Sequence, residues 1–306
     1  MSEIVGNVVL VLIFVMIGGV IPLGIAMEKT GTAAWFTPGS QPRVLDAWLF
    51  YGRDYPTATV QPVVADFNEP FADLPGAPGT RLVIVTPSHN IPTGATMPLK
   101  RRMDLLARAE VDDFLIIEDD YDYEMSYLAP PLPALKSLDR AGSVIYVGSF
   151  SKSLFPGLRL GYIVAAKPLI QEARSLRALV LRHPPGHIQR TTAYFLSLGY
   201  HDAMVNRMGQ AYRRRRSVMD KAIRDHGLQI ASGGSHGGSS FWMRAPEGVN
   251  TSELALKLRK SGVVIDQGRA FFGREDDNHQ FYRLAYSSIP SARIPEGIQR
   301  IADVIR

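Results

Sequence analysis

Residues 149–161, SFSKSLFPGLRLG, place one lysine and one arginine in a polar turn between two apolar stretches. To act as a nucleophile, Lys152 must lose its proton, and a partly desolvated position beside positive charge favours the neutral amine. Arg159 offers a planar fork of donors, while Ser149 and Ser151 add hydroxyl groups, and together these groups suit a phosphate. The pattern predicts a buried amine beside an anion site; the alternative is an ordinary surface loop.

A second segment, FLIIEDDYDY at residues 114–123, is an apolar run that ends in acidic residues. It predicts a buried strand whose carboxyl end opens into a crevice, where open α/β sheets bind ligands. At that end Asp119 can pair with a protonated ring nitrogen of a cofactor, and Tyr121 can hydrogen-bond a ring oxygen. The alternative is a solvated acidic loop after a strand.

Two further segments place polar side chains beside apolar runs. Residues 86–94, TPSHNIPTG, follow the apolar run at 82–85, and Arg283 lies inside the apolar run at 281–286. An arginine in such a strand is costly unless it meets an anion. Arg283 is therefore expected to bind a substrate carboxylate, the alternative being a structural salt bridge.

In this order, the four segments resemble the fold-type I aminotransferases, which depend on pyridoxal 5'-phosphate. More narrowly, TPSHNIPTGATM at 86–97 and IIEDDYD at 116–122 resemble the aminotransferase-like domain of MocR-type transcription regulators, a branch of the GntR superfamily. The resemblance covers residues 76–305. It implies an α/β fold with a mostly parallel sheet, helices on both faces and a smaller C-terminal α+β domain.

The resemblance also implies a role for each matching residue. Lys152 would form the Schiff base with the cofactor aldehyde, Asp119 would face the pyridine nitrogen, and Tyr121 would face the ring oxygen. The other matches are Ser149, Ser151 and Arg159 for the phosphate, and Arg283 for the carboxylate.

One position departs from the family pattern. In ordinary aminotransferases an asparagine directly precedes the Pro-Thr-Gly turn and contacts the ring oxygen, whereas this chain has Ile91 there. Asn90 and His89 are the candidate replacements, and the residues do not decide between them.

The phosphate cradle of the family also has a counterpart near the N-terminus. Gly39, Ser40 and Gln41 resemble the turn whose backbone amides hold the cofactor phosphate at a helix N-terminus. Only residues 44–51 are left for the helix that follows, so this region is shorter than in the family. The shortened region is therefore expected to lack part of the phosphate cradle and to compromise the aromatic contact that stacks on the cofactor ring.

Residues 4–27 contain no charged side chain and predict an N-terminal apolar helix. About 20 apolar residues span a bilayer as a helix, so this segment is a candidate membrane anchor; the alternative is a buried helix of a soluble core. Residues 21–31 resemble a segment of sodium/anion symporters. The chain thus reads as a junction, for which a natural fusion, a rearranged gene and an assembly artefact all remain open.

Composition and charge exclude several functions. The 306 residues include no cysteine, which excludes disulfides and thiolate chemistry, and the seven histidines show no metal-ligand spacing. The net charge is +5, but the arginine run at 213–216 spreads around a helix, so direct nucleic-acid binding is not expected.

Hydrophobic periodicity predicts the remaining elements. A helix is expected at 98–109 with Leu99, Met103 and Leu106 on its apolar face, a mostly helical segment at 189–226, and a last helix from Pro295. Strands are expected at 239–244 and 262–266. The predicted domains are 1–33, a cofactor-binding domain at 34–204 and a small domain at 205–306.

Three functions fit these features. The chain is an aminotransferase, an effector-sensing fragment of a MocR-type regulator without turnover, or a non-functional truncated fusion. The resemblance implies an amino acid or amine as ligand, a homodimer and a cytoplasmic location, with membrane anchoring if residues 4–27 insert.

Overall fold

The computed structural model describes residues 8–11, 82–271 and 280–306. The chain divides into two compact units. Of the described residues, the first unit comprises 8–11, 82–87, 98–121 and 132–204, and the second comprises 88–97, 122–131, 205–271 and 280–306.

The first unit is built on a five-stranded sheet. Its strands are β1 (Val8–Val11), β2 (Leu82–Val85), β3 (Leu115–Asp119), β4 (Val144–Ser149) and β5 (Gly161–Val164). The order is β1-β5-β4-β3-β2; β2, β3 and β4 run parallel, while β5 is antiparallel to β4. Parallel strands require crossover connections, and helices provide them here.

The helices of the first unit are α1 (Leu99–Asp112), α2 (Leu135–Leu138), α3 (Lys167–Val180) and α4 (Gly186–Ser197). Pro98 immediately precedes α1, and Asp113 ends it in the left-handed conformation, with its amide donating to Ala109 O. Pro168 stands in the first turn of α3, where a missing N–H costs nothing.

Of residues 4–27, the structure describes only 8–11, and at these four residues the prediction of a helix is wrong. Val8–Val11 form a strand that pairs antiparallel with β5. Three of these four residues are valine, whose β-branched side chain favours a strand when a free sheet edge is available. The rest of residues 4–27 lies outside the described residues, as does the segment 21–31, for which a resemblance to sodium/anion symporters was expected. No helix among the described residues is long and apolar enough to cross a membrane.

The buried face of α1 differs from the prediction, because the helix buries an arginine. Its buried residues are Arg102, Leu105 and Ala109, whereas Leu99 and Met103 are about half exposed. The side chain of Arg102 is fully buried. A hydrophobic period cannot reveal this face, because a charged residue supplies one of its three buried positions.

Arg102 holds together the loops at the end of two strands. Its guanidinium donates to Pro87 O, just after β2, at 3.0 Å and to Pro133 O at 2.9 Å. It also lies 4.0 Å from Glu118 Oε1 on β3. The Glu118 carboxylate accepts from the amides of Leu135 at 2.7 Å and Lys136 at 2.8 Å. This buried network fixes the carboxyl ends of β2 and β3.

The second unit has a four-stranded antiparallel sheet in the order β6-β7-β9-β8. The strands are β6 (Gln229–Ser232), β7 (Ser240–Arg244), β8 (Asp266–Gln267) and β9 (Phe281–Ala285). Helices α5 (Tyr200–Asp225, from Val205 onward), α6 (Thr251–Lys260) and α7 (Ile294–Ile305) belong to this unit. Its core includes Ile223, Met243, Leu258, Tyr282 and Ile301.

The mostly helical segment expected at 189–226 is confirmed, and it consists of two helices, α4 and α5, separated at Gly199, which has a φ of 74°. The strand expected at 262–266 is only Asp266–Gln267. Helix α6 begins as its sequence suggests, since the Asn250 side chain accepts from the amides of Ser252 and Glu253.

The arginine run lies on α5 and serves the second unit internally. Arg213 donates to Tyr127 O and Arg215 to Ser287 O. Arg216 donates to Gly237 O at 3.2 Å and to Gly234 O at 3.1 Å. Three of the four arginines therefore hold backbone carbonyls.

Arg216 fixes a glycine-rich loop at residues 233–238, in which Gly237 has no space for a side chain. Gly237 has a φ of 149°, and a Cβ there would lie 2.0 Å from Met125 O. The loop is hydrogen-bonded to the segment at 122–131, through the amide of Leu128 to His236 O at 2.9 Å. These contacts explain why that segment belongs to the second unit.

We predict that Arg102→Met lowers the free energy of unfolding by about 3 kcal/mol, because it leaves two carbonyls without their donor and the buried Glu118 carboxyl group without its ion-pair partner. Arg108→Met on the same helix is the matched control. Arg108 forms an exposed pair with Asp112, whose loss costs less than about 1 kcal/mol. Urea denaturation of the two variants measures the difference, and equal losses would refute a structural role for Arg102.

Glu118 should make stability depend on pH. Burial raises the pKa of its carboxyl from 4.5 to about 7, although the amides of Lys136 and Leu135 lower it. Because the folded-state value is the higher one, the contribution is complete below about 4.5 and is lost as pH rises through about 7. We expect the free energy of unfolding of wild type, measured by urea denaturation, to fall over that pH interval relative to that of Glu118→Gln. Glu110→Gln, which changes an exposed residue on α1, is the control and should show the same pH dependence as wild type.

Candidate functional site

The polar residues of the first unit gather at one edge of its sheet. The register pairs Val85 with Glu118, Asp119 with Val147, and Ser149 with Gly161. The carboxyl ends of β3 and β4 and the start of β5 therefore meet at this edge. This is the edge at which open α/β sheets bind ligands.

The structure brings Lys152 and Tyr121 together at this edge. Lys152 Nζ lies 4.1 Å from the centroid of the Tyr121 ring, and both side chains are partly buried. Asp119 ends β3 with 8% of its surface exposed. Next to it, the amide of Asp120 donates to Val147 O at 3.0 Å, which continues the ladder past the carboxylate. Two neighbouring strands thus place a buried carboxylate, a phenol and an amine at or just beyond their carboxyl ends.

The lysine turn is held at both ends. The Phe150 amide donates to Leu160 O at 3.0 Å, and the Leu154 amide donates to Phe150 O at 2.9 Å. Phe150, Leu158 and Leu160 are buried together beneath the turn. These contacts therefore fix the backbone from which the polar side chains of the turn extend.

Ser149, Ser151 and Arg159 lie on the two arms of the turn. The Ser151 amide donates to Ser149 Oγ at 3.1 Å. Arg159 adopts a left-handed backbone with a φ of 51°, after the short helical turn Pro156–Leu158 and before β5. A non-glycine residue in this conformation is uncommon and indicates that its surroundings impose it.

Two tyrosines of this edge were not predicted from the sequence. Tyr146 donates to Asp120 Oδ2 at 3.4 Å, and its ring lies 5.9 Å from that of Tyr162. Burial raises the pKa of the Tyr146 phenol, and the Asp120 charge raises it further, so the hydroxyl keeps its proton. A Cβ on Gly148 would lie 2.3 Å from the Tyr162 ring. The glycine that separates Tyr146 from the lysine turn was the signal available in the sequence.

His89 and Asn90 lie in the second unit, in the turn at 88–97. His89 is buried, and its Nδ1 lies 3.0 Å from Asp122 O. Asn90 Oδ1 accepts from Thr93 Oγ1 at 3.1 Å, and the Asn90 carbonyl accepts from the Gly94 amide at 2.6 Å. Both residues therefore shape the turn.

Arg283 on β9 forms an ion pair with Asp266 on β8. Its Nε and Nη2 lie 2.8 Å and 2.7 Å from the same atom, Asp266 Oδ2. The salt bridge that was the alternative for this arginine is therefore present, and no sequence pattern indicated Asp266 as its partner. Gly39, Ser40 and Gln41 lie outside the described residues.

Comparison with known proteins identifies a family. The chain matches the family "Aminotransferase class I and II" over residues 55–301. It is 62% identical to the HTH-type transcriptional regulator TauR of Rhodobacter capsulatus over 74% of this chain and 47% of that protein. It is 33% identical to aromatic-amino-acid aminotransferase 1 of Thermococcus litoralis, over 74% of this chain and 54% of the relative. The chain spans about half the length of these relatives.

Solved structures support the same assignment. Kynurenine aminotransferase of Pyrococcus horikoshii, solved in complex with PMP, has a TM-score of 0.69 and 29% identity over 74% of this chain and 56% of that one. The α-aminoadipate aminotransferase LysN of Thermus thermophilus was solved with N-(5'-phosphopyridoxyl)-L-leucine. It has a TM-score of 0.67 and is 28% identical over 72% of this chain and 58% of its own. The chain belongs to the class I and II aminotransferase family and has its fold-type I architecture, which implies pyridoxal 5'-phosphate as its cofactor.

Proposed function

We propose that this chain bonds pyridoxal 5'-phosphate through Lys152 and uses the cofactor to recognise an amino acid or an amine. The observation that carries the proposal is the position of Lys152 Nζ, 4.1 Å from the Tyr121 ring centroid, on the loop after the strand that pairs with Asp119. An isolated surface lysine would not be expected over a phenol ring, on the loop after a strand that pairs with the strand of a buried carboxylate.

The side chains of this edge suit the cofactor chemically. When bound, the cofactor supplies an aldehyde that bonds to a primary amine and a ring that withdraws electrons from that nitrogen. Asp119 is the carboxylate that would keep the ring nitrogen protonated, since a nearby negative charge favours the charged form of a base. Tyr121 supplies a phenol for the ring oxygen. Lys152 Nζ holds or accepts the proton that moves at the ligand's α-carbon.

Among the described residues, the proposed phosphate ligands are Ser149, Ser151 and Arg159. Ser149 Oγ accepts from the Ser151 amide, and its own hydroxyl proton can then donate to an anion. Arg159 adds a charged planar donor from the other arm of the turn. Gly39, Ser40 and Gln41 remain proposed as further phosphate contacts, and Asn90 or His89 as the contact to the ring oxygen.

Arg283 is the proposed acid-binding residue. Arg283 already binds a carboxylate, that of Asp266, through two nitrogen atoms. The same guanidinium edge suits the carboxylate of an amino acid. Within the proposed class of amino acids and amines, Arg283 therefore favours an amino compound that carries an acid group.

The relatives favour sensing of this ligand, with turnover as the second candidate. The 62% identity is with a transcriptional regulator, and the identity with an aminotransferase is 33%. We propose that the cofactor-binding unit ends near Met204, that the chain acts as a homodimer, and that it derives from a MocR-type regulator. A chain unable to hold the cofactor is the remaining outcome, which the first experiment below decides.

We predict that purified protein with added pyridoxal phosphate shows a visible absorbance band that persists through desalting and is absent in Lys152→Ala. The reason is that only an amine at the site forms a lasting bond to the cofactor aldehyde. Lys167→Ala, which removes an exposed lysine at the start of α3, is the matched control and should keep the band. A folded wild-type protein without a band would refute the proposal.

Turnover and sensing differ in their products. We predict that L-amino acids shift the visible band, and that keto-acid release stays below one equivalent per chain if the site senses without turnover. Mass spectrometry of the released acid measures this. Many equivalents in the presence of a keto-acid acceptor would establish an aminotransferase instead.

A further inference from the structure

The pairing of Arg283 with Asp266 is built into the sheet of the second unit. The two residues face each other in the register of β8 and β9, and their side chains meet at 2.7–2.8 Å. Arg283 has 22% of its side chain exposed, and Asp266 has 46%. The Phe271 ring lies 5.8 Å from the Arg283 guanidinium carbon. The ladder therefore holds the acid against the guanidinium without any ligand.

Asp266 occupies the edge of Arg283 that a ligand would use. A carboxylate binds arginine most strongly through two parallel N–H groups, and the Nε and Nη2 atoms that provide one such pair both donate to Asp266 Oδ2. A second carboxylate at the same edge would meet both this occupied pair and a like charge. It can bind fully only if the Asp266 side chain moves away from this edge.

We propose that Asp266 is an internal counterion that competes with the acid group of the ligand for Arg283 and thereby sets the affinity and selectivity of the site. This inference rests on the proposed function, in which Arg283 binds the ligand's acid group. Asp266 lowers the affinity for amino compounds that carry an acid and leaves the affinity for simple amines unchanged. It is a specificity-determining residue, whereas a purely structural ion pair would affect both ligands alike.

Two variants separate charge from occupancy. Asp266→Asn removes the charge and keeps an oxygen acceptor of the same size, and Asp266→Ala clears the guanidinium edge. Glu296→Gln is the matched control, because it removes a carboxylate that lies 2.6 Å from Arg300 in an exposed pair on α7 of the same unit.

The first readout uses the full chain loaded with pyridoxal phosphate. L-alanine and ethylamine are titrated, and the visible spectrum reports binding of each. We expect Asp266→Asn to tighten L-alanine binding by roughly fivefold, the upper range for a partly exposed ion pair, and Asp266→Ala to tighten it further. Ethylamine binding should not change in either variant, and Glu296→Gln should match wild type with both ligands.

The second readout needs no cofactor. Acetate is titrated into the full chain labelled with ¹⁵N-arginine, and the Nε–Hε resonance of Arg283, assigned with Arg283→Lys, reports binding. Tighter acetate binding in Asp266→Asn supports the inference. Equal or weaker acetate binding overturns it, as does a change in ethylamine affinity equal to that in alanine affinity. A missing visible band in wild type refutes the proposed function alone, since the acetate titration still decides the role of Asp266.

Discussion

The buried guanidinium of Arg102 joins three parts of the first unit that are distant in sequence. It holds the carbonyls after β2 and before α2 and lies 4.0 Å from the Glu118 carboxylate of β3. A buried charge is costly unless hydrogen bonds compensate it, so this arrangement persists only when all partners are present. The residue after Glu118 is Asp119, and the geometry of the candidate site therefore depends on this network.

The second unit uses arginine in a similar way. Arg216 on α5 holds two carbonyls of the glycine-rich loop, and its guanidinium lies 4.6 Å from the centroid of the Phe241 ring. In both units a helix contributes a cation that fixes the loops of the unit, while apolar residues fill the core.

The sequence predicted the elements whose signal is local. The strands before Asp119 and Lys152 and the lysine turn follow from apolar runs that end in polar residues, and all are present. The partners of Arg102, Arg216 and Arg283 were beyond reach, because each lies on another element and a charged residue carries no periodic signal for burial. The prediction of the buried face of α1 was wrong for the same reason. The break at Gly199 was missed because glycine within a helical pattern is often tolerated.

The lysine turn lies between two adjacent antiparallel strands, whose ladder ends at the pair Ser149 and Gly161 and is extended by the bond from Phe150 N to Leu160 O. Its length is therefore set from both sides. Because the ladder fixes both ends, one extra residue would bulge the turn and displace Lys152 from Tyr121. The length of this connection is consequently part of the geometry that places the amine, and homologous chains that keep the lysine contact should keep that length.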